Sequence, residues 1–253
     1  LWLVLPKCSF YNKHLRQILC NPYELFPKVK LKILTLSLLQ FSNQSIRKNI
    51  LKFTEFNFNE NLVEVILASS YEDATPVQEQ VIPLVLQGKD VIASAQTGTG
   101  KTAAFLLPLI NNIISAPIDH HSITALVIVP TRELAVQIAQ HMEGLSYFTS
   151  VSSIAVYGGG DGNAFVQEKK ALSAGADVVI CTPGKMLAHI NMGYVKLQGL
   201  KYLVLDEADR MLDMGFYDDI MRIIHALPAK RQNLLFSATM PTKIRELARK
   251  ILH

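Results

Sequence analysis

The 253-residue sequence predicts an α/β domain with a mostly parallel sheet and helices on both faces. Three observations point there. Short β-rich apolar runs alternate with helical patterns, the mark of βαβ units and right-handed crossovers. The runs are apolar at successive positions rather than every second one, as expected of strands buried on both faces. A glycine-rich loop and a pair of acids each follow such a run directly. In open α/β sheets ligands bind there, outside the carboxyl ends of the strands.

The strand-like runs are Asp90–Ala95, Ala125–Val129, Ser153–Tyr157, Asp177–Cys181, Lys201–Leu205 and Asn233–Phe236. Helical patterns between them are clearest at Arg132–Tyr147, Phe165–Ser173 and Tyr217–Leu227. Hydrophobic residues make up 49% of the chain, enough for a sizeable core. No apolar run approaches the roughly 18 residues that a membrane-spanning helix needs, so the chain reads as soluble and cytoplasmic, with no membrane partner. Cys8, Cys20 and Cys181 stand far apart. That argues against a disulfide framework or a zinc site and fits a reducing compartment. His120 and His121 read as loop residues rather than metal ligands, because no Cys or acid sits at ligand spacing.

Residues 1–50 differ from the rest. They hold eight Lys and Arg against one acid, Glu24, whereas residues 51–253 hold 17 bases and 20 acids. The overall pI of about 8.9 therefore belongs to this segment, and it is no argument for a basic nucleic-acid surface. The segment starts with Leu rather than Met and shows no sustained period. It reads as an atypical basic extension, non-native or disordered, ahead of one domain at 51–253. A lineage-specific extension and upstream sequence translated from a misassigned start both stay open.

The strongest chemical signal is Ala95-Gln96-Thr97-Gly98-Thr99-Gly100-Lys101-Thr102, after a strand and at the head of a helix. Glycines let the backbone curl so that its N–H groups converge on phosphate oxygens, reinforced by the helix N-terminus. Lys101 would reach the β- and γ-phosphates of a nucleotide, and the Thr102 hydroxyl would coordinate Mg²⁺. Ala95 replaces the first glycine of the general pattern. A Gly-rich turn capping an ordinary helix is the plainer reading, but loop, Lys, Thr and context agree against it.

Asp206-Glu207-Ala208-Asp209 follows the strand ending at Leu205. Asp206 suits a magnesium-holding role, largely through water, and Glu207 could orient and deprotonate an attacking water. Acids after a strand are often only solvated or capping residues. The apolar strand before them and the phosphate loop upstream make this pair specific. Thr75-Pro76-Val77-Gln78 reads as a helix capping box with proline at the first helical position. The Gln78 amide could also read an adenine edge, donating and accepting at once. Ser237 and Thr239 end the last strand beside the carboxylates, where hydroxyls could bond Asp209 or simply form a turn.

From Phe53 to His253 these segments, in this order, resemble the DEAD-box RNA helicases. Tyr71–Gln78 looks like their Q motif, 95–102 motif I, Pro130-Thr131-Arg132-Glu133-Leu134-Ala135 motif Ia and Gly158-Gly159 the GG element. Thr182-Pro183-Gly184-Lys185 resembles motif Ib, 206–209 motif II and Ser237-Ala238-Thr239 motif III. The run Val204–Phe216 is especially similar to the RhlE-type branch. The resemblance implies a RecA-like P-loop NTPase fold that binds ATP and Mg²⁺. Phe53, Tyr71, Thr75 and Gln78 would lie on the adenine side, and Asp209, Ser237 and Thr239 would couple the two ligand sites. It implies RNA-backbone contacts from Pro130, Thr131, Arg132, Gly158, Gly159, Thr182, Pro183, Gly184 and Lys185. Departures are Ser70 for Gly, Ala74 for Pro and Lys185 for Arg, the last losing a bidentate fork.

It further implies a second RecA-like domain carrying arginine fingers, worth about 10³–10⁵ in rate. On that reading the chain as given binds nucleotide but neither hydrolyses it nor unwinds duplexes at useful rates. Joined to its second lobe it remodels RNA duplexes. Two other classes stay open: a non-catalytic nucleotide- or RNA-binding module, and a DNA-directed helicase of the same superfamily.

Overall fold

Seven strands, all parallel, form one sheet in the order β1-β2-β7-β6-β3-β5-β4. They are β1 (Trp2–Val4), β2 (Val91–Ser94), β3 (Ala125–Ile128), β4 (Ser153–Val156), β5 (Val178–Cys181), β6 (Tyr202–Leu205) and β7 (Gln232–Ser237). The computed structural model describes residues 2–4, 51–116, 122–160 and 162–252. All six expected strands are present, and the sheet is wholly rather than mostly parallel. Most of residues 1–50, with His120 and His121, lie outside the described residues. Within that segment Trp2–Val4 pairs with Val91–Ala93 at the sheet edge, although no strand period was legible there.

Nine helices of the described residues cover the sheet. They are α1 (Glu60–Ala68), α2 (Pro76–Leu86), α3 (Lys101–Ile114), α4 (Arg132–Leu145), α5 (Gly162–Ala174), α6 (Pro183–Asn191), α7 (Ala208–Asp213), α8 (Tyr217–Ala226) and α9 (Thr242–Ile251). Successive strand residues point to opposite faces, and the two cores divide accordingly. Val91, Ala93, Val127, Ile180, Val204, Leu234 and Phe236 face α1–α4. Ile92, Leu126, Ile128, Val179, Leu203, Leu205 and Leu235 face α5–α9. That two-sided burial is why the strand centres are apolar at successive positions.

The helices carry the matching stripes. On α9, Ile244, Leu247, Ala248 and Ile251 are buried, an i, i+3, i+4, i+7 row against the sheet. On α3, which begins at the glycine loop, Phe105 is fully buried and its ring lies 5.2 Å from Phe236 of β7. Among the described residues, no helix is long and apolar enough to cross a membrane. Cys181 is fully buried in β5, and burial pushes its thiol pKa far up, so it is an inert core residue.

Candidate functional site

β2 and β6 end close together in the sheet, separated by β7, so the loops leaving them share one crevice. The loop after β2 closes at Gly98 (φ 82) and Gly100 (φ 89), left-handed conformations that cost glycine little. At Gly100 space matters as well. A Cβ there would sit 2.5 Å from Gln78 Nε2 and 3.1 Å from Thr75 Oγ1. Ala95 tolerates the missing first glycine because it is buried and donates its N–H to the Ser237 carbonyl at 3.2 Å. Gln96 and Thr97 are exposed, and the Thr99 hydroxyl donates to the Gln96 carbonyl at 2.7 Å.

Lys101 and Asp206 meet at the floor, Nζ to Oδ1 3.6 Å, with side chains 6% and 3% exposed. Burial pushes the Asp206 pKa up, and the Lys101 ammonium opposes it. Glu207 occupies left-handed backbone (φ 51, ψ 47). Such strain in a non-glycine residue costs roughly 1–3 kcal/mol and gathers at functional sites. Its N–H donates to Asp206 Oδ1 at 2.9 Å and its carboxylate accepts from Arg210 at 3.3 Å. Thr97, Gly98, Gly100, Lys101, Thr102, Asp206 and Glu207 line a cleft of about 260 Å³.

Asp209 accepts from the Thr239 amide at 2.9 Å and the Thr239 hydroxyl at 2.8 Å. Partial burial would raise its pKa, but the hydrogen bonds from Thr239 prevail and hold it below the ordinary value. Ser237 stands within bonding reach of both groups: its hydroxyl donates to the Thr239 carbonyl at 2.7 Å and also helps hold the Asp209 pKa down. The link between Asp209 and the end of β7 thus rests chiefly on Thr239, with Ser237 contributing.

Beside the loop, the Gln78 amide is bonded at both its oxygen and its nitrogen. Its oxygen accepts from the Thr75 N–H at 2.8 Å and its nitrogen donates to the Gly100 carbonyl at 3.1 Å. The capping-box reading therefore describes Gln78 here. The Thr75 side chain faces the Gln78 N–H to complete the box, without a well-formed bond from its buried Oγ1. The base-stacking role expected of Phe53 is not open in this structure. Its ring is 1% exposed, in the core against Phe56 and Tyr71, because the short 3₁₀ turn Phe53–Phe56 anchors the segment before α1. Tyr71 is half-buried and lines the cleft instead. Leu134, Gln137 and His141 of α4 form a further wall. Their i, i+3, i+7 spacing was visible as one helix face, but nothing in the sequence says that this face meets the glycine loop.

The second group of candidates gathers at the carboxyl ends of the neighbouring strands β3, β5 and β4. Arg132 is exposed, its guanidinium 5.0 Å over the Tyr157 ring. A Cβ on Gly159 (φ 88) would meet it at 3.0 Å. Thr131 caps α4, accepting from the Leu134 N–H at 3.3 Å. Gly158, Gly159 and Gly184 are exposed and Thr182 partly so. Pro130 and Pro183 are buried, so they shape the strand ends rather than present a contact. Lys185 does not point freely outward: its amine sits 3.0 Å from Glu168 of α5. Glu168, which the sequence gave no reason to single out, also bonds the fully buried His189.

A sequence profile described as DEAD/DEAH box helicase matches residues 75–247. The chain is 48% identical over 202 residues to an ATP-dependent RNA helicase CshA of Listeria monocytogenes, covering 80% of this chain and 38% of that protein. It is 46% identical over 200 residues to a DEAD-box ATP-dependent RNA helicase RhpA of Helicobacter pylori, covering 79% and 39%. The crystal structure of a DEAD box protein from the hyperthermophile Methanococcus jannaschii superposes with a TM-score of 0.73 at 40% identity, over 79% of this chain and 53% of that one. The chain thus spans less than two fifths of the length of these curated relatives.

Proposed function

The chain belongs to the DEAD/DEAH box helicase family, and from that premise we propose that it is the nucleotide-binding lobe of an ATP-dependent RNA helicase. The observation that carries the reading is the buried Lys101–Asp206 pair, 3.6 Å apart, beneath a loop whose Gly98 and Gly100 have positive φ. A buried ammonium beside converging N–H groups suits a polyphosphate. The buried Thr75 Oγ1, which faces the Gln78 N–H without a well-formed bond, lies next to that loop. Tyr71 and Gln78 lie at the base side, and Gln78 reads adenine by exchanging its bonds to Thr75 and Gly100 for the base edge. Thr102 and Asp206 would hold Mg²⁺, largely through water, and the ion would neutralise charge between the phosphates. Glu207 takes the proton of the water that attacks the γ-phosphorus as the bond to ADP breaks.

RNA lies across the ends of β3, β5 and β4, where Thr131, Arg132, Gly158, Gly159, Thr182 and Gly184 meet its sugar-phosphate backbone without reading sequence. Asp209, with Ser237 and Thr239, links that face to the nucleotide. A second RecA-like lobe, within the length by which the relatives exceed this chain, supplies the arginine fingers and the rest of the RNA path. ATP-driven closure of the two lobes bends one strand out of duplex geometry. The work is cytoplasmic. The run Val204–Phe216 favours a place near the RhlE-type branch, while the matched relatives carry the names CshA and RhpA.

The test is ATP binding and turnover by the purified chain, with and without single-stranded RNA, against Lys101→Ala. The wild type is expected to bind Mg·ATP and Lys101→Ala to lose it. Turnover should stay low until the second lobe is added. Equal nucleotide binding by the two proteins would overturn the site. RNA-stimulated turnover by the chain alone would overturn the need for a second lobe.

A further inference from the structure

We propose that Glu168 is an internal counter-ion that keeps Lys185 off the RNA backbone, so that one carboxylate sets the charge this face offers to phosphate. The inference rests on the RNA face described above. It starts from the seam between α5 and α6. Glu168 Oε2 lies 3.0 Å from the Lys185 amine and 3.1 Å from His189 Nε2. Glu168 is 7% exposed and His189 not at all. The other faces of the imidazole are filled: Nδ1 meets the Tyr194 hydroxyl, and the ring stacks on Phe165 at 5.1 Å.

This arrangement fits a neutral imidazole that donates from Nε2 to the carboxylate and accepts at Nδ1 from Tyr194. Burial pushes the His189 pKa down and Glu168 pulls it part of the way back, with Lys185 acting alongside burial. With His189 neutral, the Glu168 charge is left for Lys185. That lysine stands in the first turn of α6, beside Thr182 and Gly184, where the helix dipole disfavours a cation. Glu168 offsets this cost and draws the amine over the Phe165 ring at 5.2 Å, inward from the exposed Gly184. Lys169 belongs to the same cluster, its amine 5.4 Å over Tyr194. Four rotatable bonds let the Lys185 amine swing toward a phosphate once the carboxylate charge is gone.

The experiment is Glu168→Gln in the full chain, titrated with a uridine homo-oligonucleotide over a salt series. The glutamine oxygen still accepts from His189, so the seam keeps its packing. Binding should tighten on the order of fivefold at low salt, and the slope of log K against log salt should steepen by about 0.7, the signature of one added phosphate contact on a single strand. Adding Lys185→Gln to Glu168→Gln should remove both gains. Unchanged or weaker binding by Glu168→Gln, with an unchanged slope, would show Glu168 to be a packing residue and overturn the proposal.

A wild type that binds no RNA would sink the RNA reading instead. The counter-ion is then judged by the His189 imidazole titration in NMR. Glu168→Gln should lower that pKa and the added Lys185→Gln should raise it again. A value unmoved by either change overturns the counter-ion.

Discussion

Ser70 stands at φ 56, a left-handed backbone that a side chain disfavours by roughly 1–2 kcal/mol. Glycine accepts it freely, so Ser70→Gly should stabilise the chain by about 0.5–1 kcal/mol, read as a shift in the urea midpoint. Ala74 departs from the family in the same loop for a visible reason. Its N–H donates to the Leu51 carbonyl at 2.9 Å, a bond proline cannot make. At the carboxylates, the hydrogen bonds from Thr239 hold the Asp209 pKa below its ordinary 3.8. A depressed acid contributes stability that is fully present above that ordinary value and lost as pH falls through the folded one. Thr239→Val removes the hydroxyl donor, so the Asp209 pKa should rise toward 3.8 in a carboxyl NMR titration and the acid limb of stability should move up with it. A pKa that stays put would mean that the remaining donors, the Thr239 and Arg210 amides and the Ser237 hydroxyl, suffice to set it.

At the scale of elements, the phosphate loop is only as rigid as the helix it opens. α3 is buried along most of its length, and Phe105 locks it onto β7 through Phe236. Phe105→Ala should cost about 3–5 kcal/mol in chemical denaturation, because the cavity sits between helix and sheet where neither can collapse. It should also loosen nucleotide binding more than a surface substitution of equal size. Loss of stability below about 1 kcal/mol would contradict the packing described here. Helix entry signals in the sequence translate unevenly into structure. Thr131 caps α4 with its side chain, whereas Thr182 and Gly100 start α6 and α3 without a side-chain cap. At Gly100 the left-handed turn itself leaves the first N–H groups of α3 available to a ligand.

Across the whole molecule, one sheet edge-to-edge carries both candidate faces. The candidates for nucleotide binding sit at the ends of β2 and β6, and the backbone-binding candidates at the ends of β3, β5 and β4, so motion of the shared sheet ends could reach both. The α/β class, the six strands β2–β7 and the glycine loop with its acids were legible because each depends on local order: apolar runs, loop glycines and residues next to a strand end. The meeting of Lys101 with Asp206 was implied, since ligands collect where parallel strands end. Other assignments needed the folded chain. Phe53 looked like a base-stacking ring and is core, Gln78 spends its amide on its own loop, and Lys185 is held by Glu168. The sequence by itself determined which residues lie near a strand end and which carry charge or hydroxyls. Only the tertiary structure decided which of them are exposed and whom they bond, because burial and pairing depend on helices that are distant in the chain and packed side by side on a sheet face.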